Sequence, residues 1–186
     1  MVGLDIRKPR MAELFGISDR QHGITNILTN EECNWEEVKA QIVASGVNHN
    51  FDLLMAGPTP ANPGELMVRK SLKQTIALLK EHYDYVIIDT APVGLVADSL
   101  QLSKLADRTL FVCRADFSTK SSFTYINKLD EQKKLPNISI VINDIDLSKK
   151  KFAYSYGFGK YSKIGNHSFG SYGLFSNNTN DDSIKI

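Results

Sequence analysis

Apolar runs separated by stretches of helical periodicity make up most of this chain. Tyr85–Asp89 (YVIID), Thr109–Arg114 (TLFVCR) and Ile138–Ile142 (ISIVI) are apolar almost throughout. That is the pattern of parallel strands covered by helices on both faces. Val2–Leu4 and Phe51–Met55 read as two further strands. After Asn62-Pro63, the stretch GELMVRKSLKQTIALLKEHY places Leu66, Leu72, Ile76 and Leu79 at three-to-four spacing, with proline near the helix start. DSLQLSKLAD opens on Asp98, an N-cap residue type, and STKSSFTYINKLDEQKKL opens on Ser or Thr and stops at Pro136. Strands alternating with helices predict an α/β doubly wound, mostly parallel sheet, which binds ligands outside the carboxyl ends of its strands. The periodicity ends near Asp146. The expected division is therefore a globular portion over 1–148 and a flexible Tyr-rich tail over 149–186.

Composition narrows the picture only in places. A hydrophobic share of 42% and a charged share of 23% suit one soluble globular core. A formal net charge of +1 supplies no strong field for nucleic acid, which is not expected as a partner. Cys33 and Cys113 are far apart, with no metal-binding spacing, and Cys113 falls inside a strand run, so a reducing, cytoplasmic setting fits. No apolar run reaches the length of a membrane span. The opening MVGLDIRKPR begins in mid-pattern, with a very short apolar lead into charged residues, and is expected to be the downstream part of a longer protein.

The chemistry-bearing positions sit at strand ends. Asp89 arrives at the carboxyl end of an apolar strand, where a carboxylate can hold Mg²⁺ beside a nucleotide's phosphates or simply cap the strand. Asp5 has the same placement two residues before Arg7, whose forked donors suit a carboxylate or phosphate. Together Asp5 and Asp89 would flank one metal; taken alone, Asp5 and Arg7 also fit a surface turn. LLMAGPTPANPGEL, with three prolines and two glycines, is a stiff loop delivering a helix start near the same edge. Asn143 closes the last strand and could read a base edge or cap a turn. His22, His49, His82 and His167 fall into no metal or triad pattern. The 186 residues contain no G-x-x-x-x-G-K-[ST] loop, so this chain lacks the cradle that grips β- and γ-phosphates. Four of the seven tyrosines, Tyr154, Tyr156, Tyr161 and Tyr172, are spaced by Gly and Ser in the terminal stretch. By composition alone that stretch suits self-association, single-strand binding or modification.

Seven segments in order (LDIRKPRMAELFG, HGITNILTN, FDLLMAGPTPANPGELM, YDYVIIDTAPVGLVADS, LADRTLFVCRA, VINDID and the Tyr-rich terminus) resemble the cytoplasmic domain of bacterial tyrosine kinases, the capsular and exopolysaccharide co-polymerase kinases. The resemblance implies a Rossmann-like P-loop domain of the deviant-Walker type that transfers the γ-phosphate of ATP, with Mg²⁺, to C-terminal tyrosines. It assigns VGLDIR to the Walker A′ motif, with Asp5 and Arg7 matched and Gly3 standing where the first aspartate is usual. It assigns Asp89 to Walker B, Asn143 to the adenine, and Tyr154, Tyr156, Tyr161 and Tyr172 to phosphoacceptors. It also implies a homo-oligomeric ring, a membrane co-polymerase region upstream, the polysaccharide export machinery as partner, and a place at the inner face of the cell membrane. Two other readings stay open: a non-catalytic phosphorylatable partner or remnant, and a partitioning-type ATPase. Clustered terminal tyrosines argue against the latter. Four phosphotyrosines would add about −6 to −8 of charge, enough to repel neighbouring tails.

Overall fold

The computed structural model describes residues 1–94 and 98–146. The elements run β1 (Val2–Gly3), α1 (Met11–Leu14), α2 (Ile24–Leu28), α3 (Trp35–Lys39), β2 (Ile42–Ala44), β3 (Asp52–Leu54), α4 (Pro63–Leu66), α5 (Lys70–His82), β4 (Ile88–Asp89), α6 (Asp98–Leu102) with a 3₁₀ turn (Ser103–Leu105), β5 (Thr109–Arg114), α7 (Lys120–Glu131) and β6 (Ile138–Asn143). They form two compact units: Met1–Asp107 with Lys134–Pro136, and Arg108–Lys133 with residues 137–146.

The first unit is built on a four-stranded sheet in the order β2-β3-β1-β4. β1 lies parallel to both β3 and β4, with Val2 opposite Leu54 and Ile88, and Gly3 opposite Asp89. Alternation along the strands divides the apolar side chains between two faces. On one face Val2, Leu4 and Ile6 are buried, as is Leu54, against Ile24 and Leu28 of α2, Val38 of α3 and Leu72, Ile76 and Leu79 of α5. On the other, Leu53 and Met55 pack with Met11, bordered by Phe15 and Phe51, whose rings meet edge-on at 5.8 Å. Burying each such side chain is worth about 1.5–3 kcal/mol, so α5, which carries three of them, anchors that face. Asn34 and Glu37 form a reciprocal capping box at the start of α3 at 3.0 Å, and Trp35 of the same helix stacks on His82 of α5 at 3.6 Å.

Three features depart from the sequence expectation. The helix after Pro63 is broken into α4 and α5 by Met67–Arg69. β2 is an additional strand that runs antiparallel to β3, joined to it by a tight connection in which the Ser45 amide donates to the Phe51 carbonyl at 3.0 Å. β5 and β6 form their own parallel pair in the second unit, registered from Thr109–Ile138 to Arg114–Asn143, rather than continuing the first sheet's ladder. The strand runs are accordingly not covered on both faces. Ile87 is 57% exposed, Leu110 66% and Val112 61%, while Cys113 is buried as expected and both cysteines are free. Asp98 begins α6, and α7 starts after Thr119 and ends short of Pro136. Among the described residues no helix is long and apolar enough to cross a membrane.

Two glycines let the loop before α2 close on the end of β3. Ile24 and Thr25 donate their amides to the carbonyls of Met55 and Ala56 at 2.8 and 3.0 Å. A Cβ on Gly23 would stand 2.3 Å from the Gly57 nitrogen and 2.5 Å from the Met55 oxygen. Gly57 itself has φ +81°, a conformation that side chains disfavour. Because the atoms opposing Gly23 are backbone, they cannot rotate away. Gly23→Ala should cost roughly 1–3 kcal/mol or more, the range for overpacked sites. Equilibrium urea unfolding checks this, and an unchanged midpoint would show that the two loops do not meet.

Candidate active site

The pairing of β1 with β4 creates the site. The Val2 and Leu4 amides donate to the Ile87 and Asp89 carbonyls, both at 2.7 Å, which fixes Gly3 beside Asp89 and brings Asp5 out just past the ladder. The chain then turns back on itself, with the Lys8 amide donating to Asp5 Oδ1 at 3.1 Å. Asp5 and Asp89 both line a solvent-open cleft at the carboxyl edge of the sheet. Gly3, the segment from Pro9 to Ala12, Asp19 and Arg20, and Met55–Gly57 complete its walls.

The electrostatics of the cleft come from two carboxylates in one partly dry space. Partial burial, and secondarily the charge of Asp5, push the Asp89 carboxyl above its ordinary range. Asp19 is held the opposite way. His22 Nδ1 lies 2.7 Å from its Oδ2, the Gln21 amide donates to Oδ1 at 2.8 Å, and these hydrogen bonds hold its carboxyl below the usual value. Among the described residues no group of three or more His, Cys, Asp or Glu could hold a metal ion. Two carboxylates facing one opening nevertheless fit Mg²⁺, which typically takes one or two protein carboxylates and completes its shell with water and phosphate oxygens. A divalent cation there would offset both the burial and the lesser Asp5 repulsion that raise Asp89.

The other expected site residues are distributed differently. Arg7 is exposed on the loop after Asp5 and is not among the residues lining the cleft. Asn143 ends β6 in the second unit, opposite Arg114, where its carbonyl accepts the Ala115 amide at 2.9 Å. Tyr154, Tyr156, Tyr161 and Tyr172 lie outside the described residues, as does the proposed tail boundary at 149. Arg10, Met11, Asp19 and Arg20 are cleft residues that the sequence pattern does not single out. They reach it through a return of the chain over residues 8–20 that no motif marks; only the Asp5-to-Lys8 turn hints at it.

Fold and cleft define an α/β protein with a site holding two carboxylates at the carboxyl edge of a mostly parallel sheet. No protein-family model matches the chain. It is 27% identical over 152 residues to CapB of Staphylococcus aureus, named as a putative tyrosine-protein kinase, covering 82% of this chain and 64% of CapB. It is 28% identical over 155 residues to the tyrosine-protein kinase Etk of Escherichia coli K12, covering 83% of this chain and 20% of Etk. Among solved structures, the VpsO kinase domain superposes with a TM-score of 0.67 at 28% identity, covering 78% of this chain and 69% of that one. The chain is similar in sequence to these bacterial tyrosine kinases, and it spans less than two thirds of the length of CapB and about a fifth of Etk.

The raised Asp89 carboxyl has a consequence for stability. The folded state binds its proton more tightly than the unfolded chain, so this contribution is fully present below the ordinary aspartate range and is lost as pH rises through the folded value. Asp89→Asn should therefore raise Tm at pH 7, by on the order of 1–2 °C given the partial exposure. The gain should shrink as pH falls toward 4. Thermal melts across pH 4–8 check this, and a lower Tm for the variant at pH 7 would contradict it.

Proposed function

We propose that this chain is the metal-holding part of a protein-tyrosine kinase that passes the γ-phosphate of ATP to C-terminal tyrosines and so regulates capsule or exopolysaccharide synthesis. The observation that carries the reading is the Asp5–Asp89 pair in one cleft of a chain similar in sequence to bacterial tyrosine kinases. Asp5 and Asp89 are the residues that would hold Mg²⁺. The ion, when bound, neutralises phosphate charge and aligns the phosphates for in-line displacement. Asp5 is oriented by the Lys8 amide, and Asp89 is fixed by its place on β4 beside Gly3. Arg7 offers a forked donor to phosphate oxygens, and Asn143 is assigned to the base of the nucleotide. Tyr154, Tyr156, Tyr161 and Tyr172 are the proposed acceptors. A Gly/Ser-spaced tail over 149–186 would enter an active site with little structure to undo.

The deviant-Walker P-loop assignment belongs to the same reading, as do a ring of identical chains, an upstream membrane co-polymerase region, contact with the export machinery, and a cytoplasmic place at the membrane's inner face. One observation favours a second reading. The 186 residues include no G-x-x-x-x-G-K-[ST] cradle, so this chain by itself would serve as a phosphorylatable partner of a chain that has one.

A chimera placing a strand–G-x-x-x-x-G-K-[ST]–helix segment in frame ahead of this chain separates the two. With Mg²⁺-ATP it should modify tyrosines beyond Asp146, mapped by mass spectrometry, and Asp89→Asn should lower the rate by about 10²-fold, as loss of a metal-organising charge does. The chain alone should remain unmodified. A chimera indifferent to Asp89→Asn would reject the catalytic reading and leave the partner reading.

A further inference from the structure

We infer that Met11 sets the number of carboxylates the cleft can hold. Its thioether occupies the space that an acidic side chain at position 3 would need, so Gly3 and Met11 form a coupled pair and the cation falls to Asp5 and Asp89 alone. The inference rests on the metal-holding reading given above and goes beyond it, because it assigns a positioning role to a residue that carries no charge.

The geometry is specific. Gly3 is buried and sits opposite Asp89 in the β1–β4 register. Gly3 and Asp5 both line the cleft, so a side chain at position 3 would share that space with Asp5. A Cβ there would stand 3.1 Å from Met11 Cε, 3.4 Å from the Ala56 nitrogen and 3.7 Å from Met11 Sδ. The Ala56 contact is backbone at ordinary distance, and the tight one is the tip of Met11. Met11 is 5% exposed and packed with Leu53 and Met55, so its tip would have to give by a few tenths of an ångström, toward the cleft that it also lines. Position 3 and residue 11 thus compete for one volume, which Met11 now fills.

Chemistry follows from what fills it. A thioether is a soft donor and a poor ligand for Mg²⁺, which takes hard oxygen ligands. The wall beside Gly3 is therefore an apolar surface, and the missing oxygen donor must come from water or a phosphate. A cation held by two carboxylates binds weakly until phosphate arrives. Placing Asp at position 3 without changing Met11 would press a carboxylate into packed sulfur and methyl groups and gain little.

A double-mutant cycle over Gly3→Asp and Met11→Ala tests this, with Met11→Leu as a variant that keeps the core filled and Gly3→Ala as the uncharged steric control. Two readouts apply to the purified chain: metal-free thermal unfolding, and Mn²⁺ affinity from the electron-spin signal of free Mn²⁺. Gly3→Asp and Gly3→Ala should each lower the metal-free Tm, and shortening Met11 should recover part of that loss. Gly3→Asp alone should leave Mn²⁺ affinity nearly unchanged, whereas Gly3→Asp with Met11→Ala or Met11→Leu should tighten it by about tenfold or more. Additive Tm changes, or the full Mn²⁺ gain from Gly3→Asp alone, would overturn the role of Met11. Absence of Mn²⁺ binding to the parent and to every variant would instead overturn the metal pair itself, with the Tm cycle still reporting whether the two side chains compete.

Discussion

Everything the site does depends on one short parallel pairing. β1 and β4 share only two residue pairs, yet those pairs put Gly3 beside Asp89 and carry Asp5 to the same sheet edge. The strength of the arrangement comes from the surroundings rather than the ladder. Val2, Leu4 and Ile6 are buried under α2 and α5, so β1 cannot shift register without moving a set of apolar side chains to the wrong face. A two-residue strand with that anchoring can hold a carboxylate pair whose mutual repulsion would otherwise push it apart.

The loops complete what the strands begin. The backbone contact between Gly23 and the Met55–Gly57 segment fixes the far wall of the cleft, and the turn closed by Asp5 brings residues 9–12 over the near wall. The wall beside Gly3 is apolar, while Arg10 and Arg20 bring positive charge to the opening. On the proposed reading, such a site would favour a phosphate-bound cation over a bare one, because the protein supplies too few oxygens to satisfy the ion alone.

Much of this is legible in the sequence, for physical reasons that also explain the rest. TLFVCR is strand β5 over its whole length, whereas only Ile88–Asp89 of YVIID pair as β4; the terminal residues of both runs mark the carboxyl ends. The placement of Asp5 and Asp89 at two such ends is enough to pair them. The long helix is recognisable from Leu72, Ile76 and Leu79, but its break at Met67–Arg69 is not, since both pieces share one apolar face. α1, α2 and α3 have four or five residues each, too few for periodicity to register, and α3 is marked chiefly by the Asn34–Glu37 box. β2 gives no clear signal because Ile42–Ala44 is three residues long and pairs at an edge. The roles of Met11, Asp19 and Arg20 come from the return of the loop and not from any local pattern, so no run of residues announces them. Exposure of Ile87, Leu110 and Val112 cannot be read from runs that look fully buried.

Asp5 and Asp89 are proposed to act as one cation-holding pair, and their coupling can be measured directly. The experiment is a ¹³C-detected NMR titration of the Asp89 carboxyl with and without saturating Mg²⁺, in the parent chain and in Asp5→Asn. A coupled pair requires a midpoint above that of an ordinary aspartate, which falls on adding Mg²⁺ and falls on neutralising Asp5. A midpoint that neither Mg²⁺ nor Asp5→Asn moves would show that the two carboxylates do not share an ion.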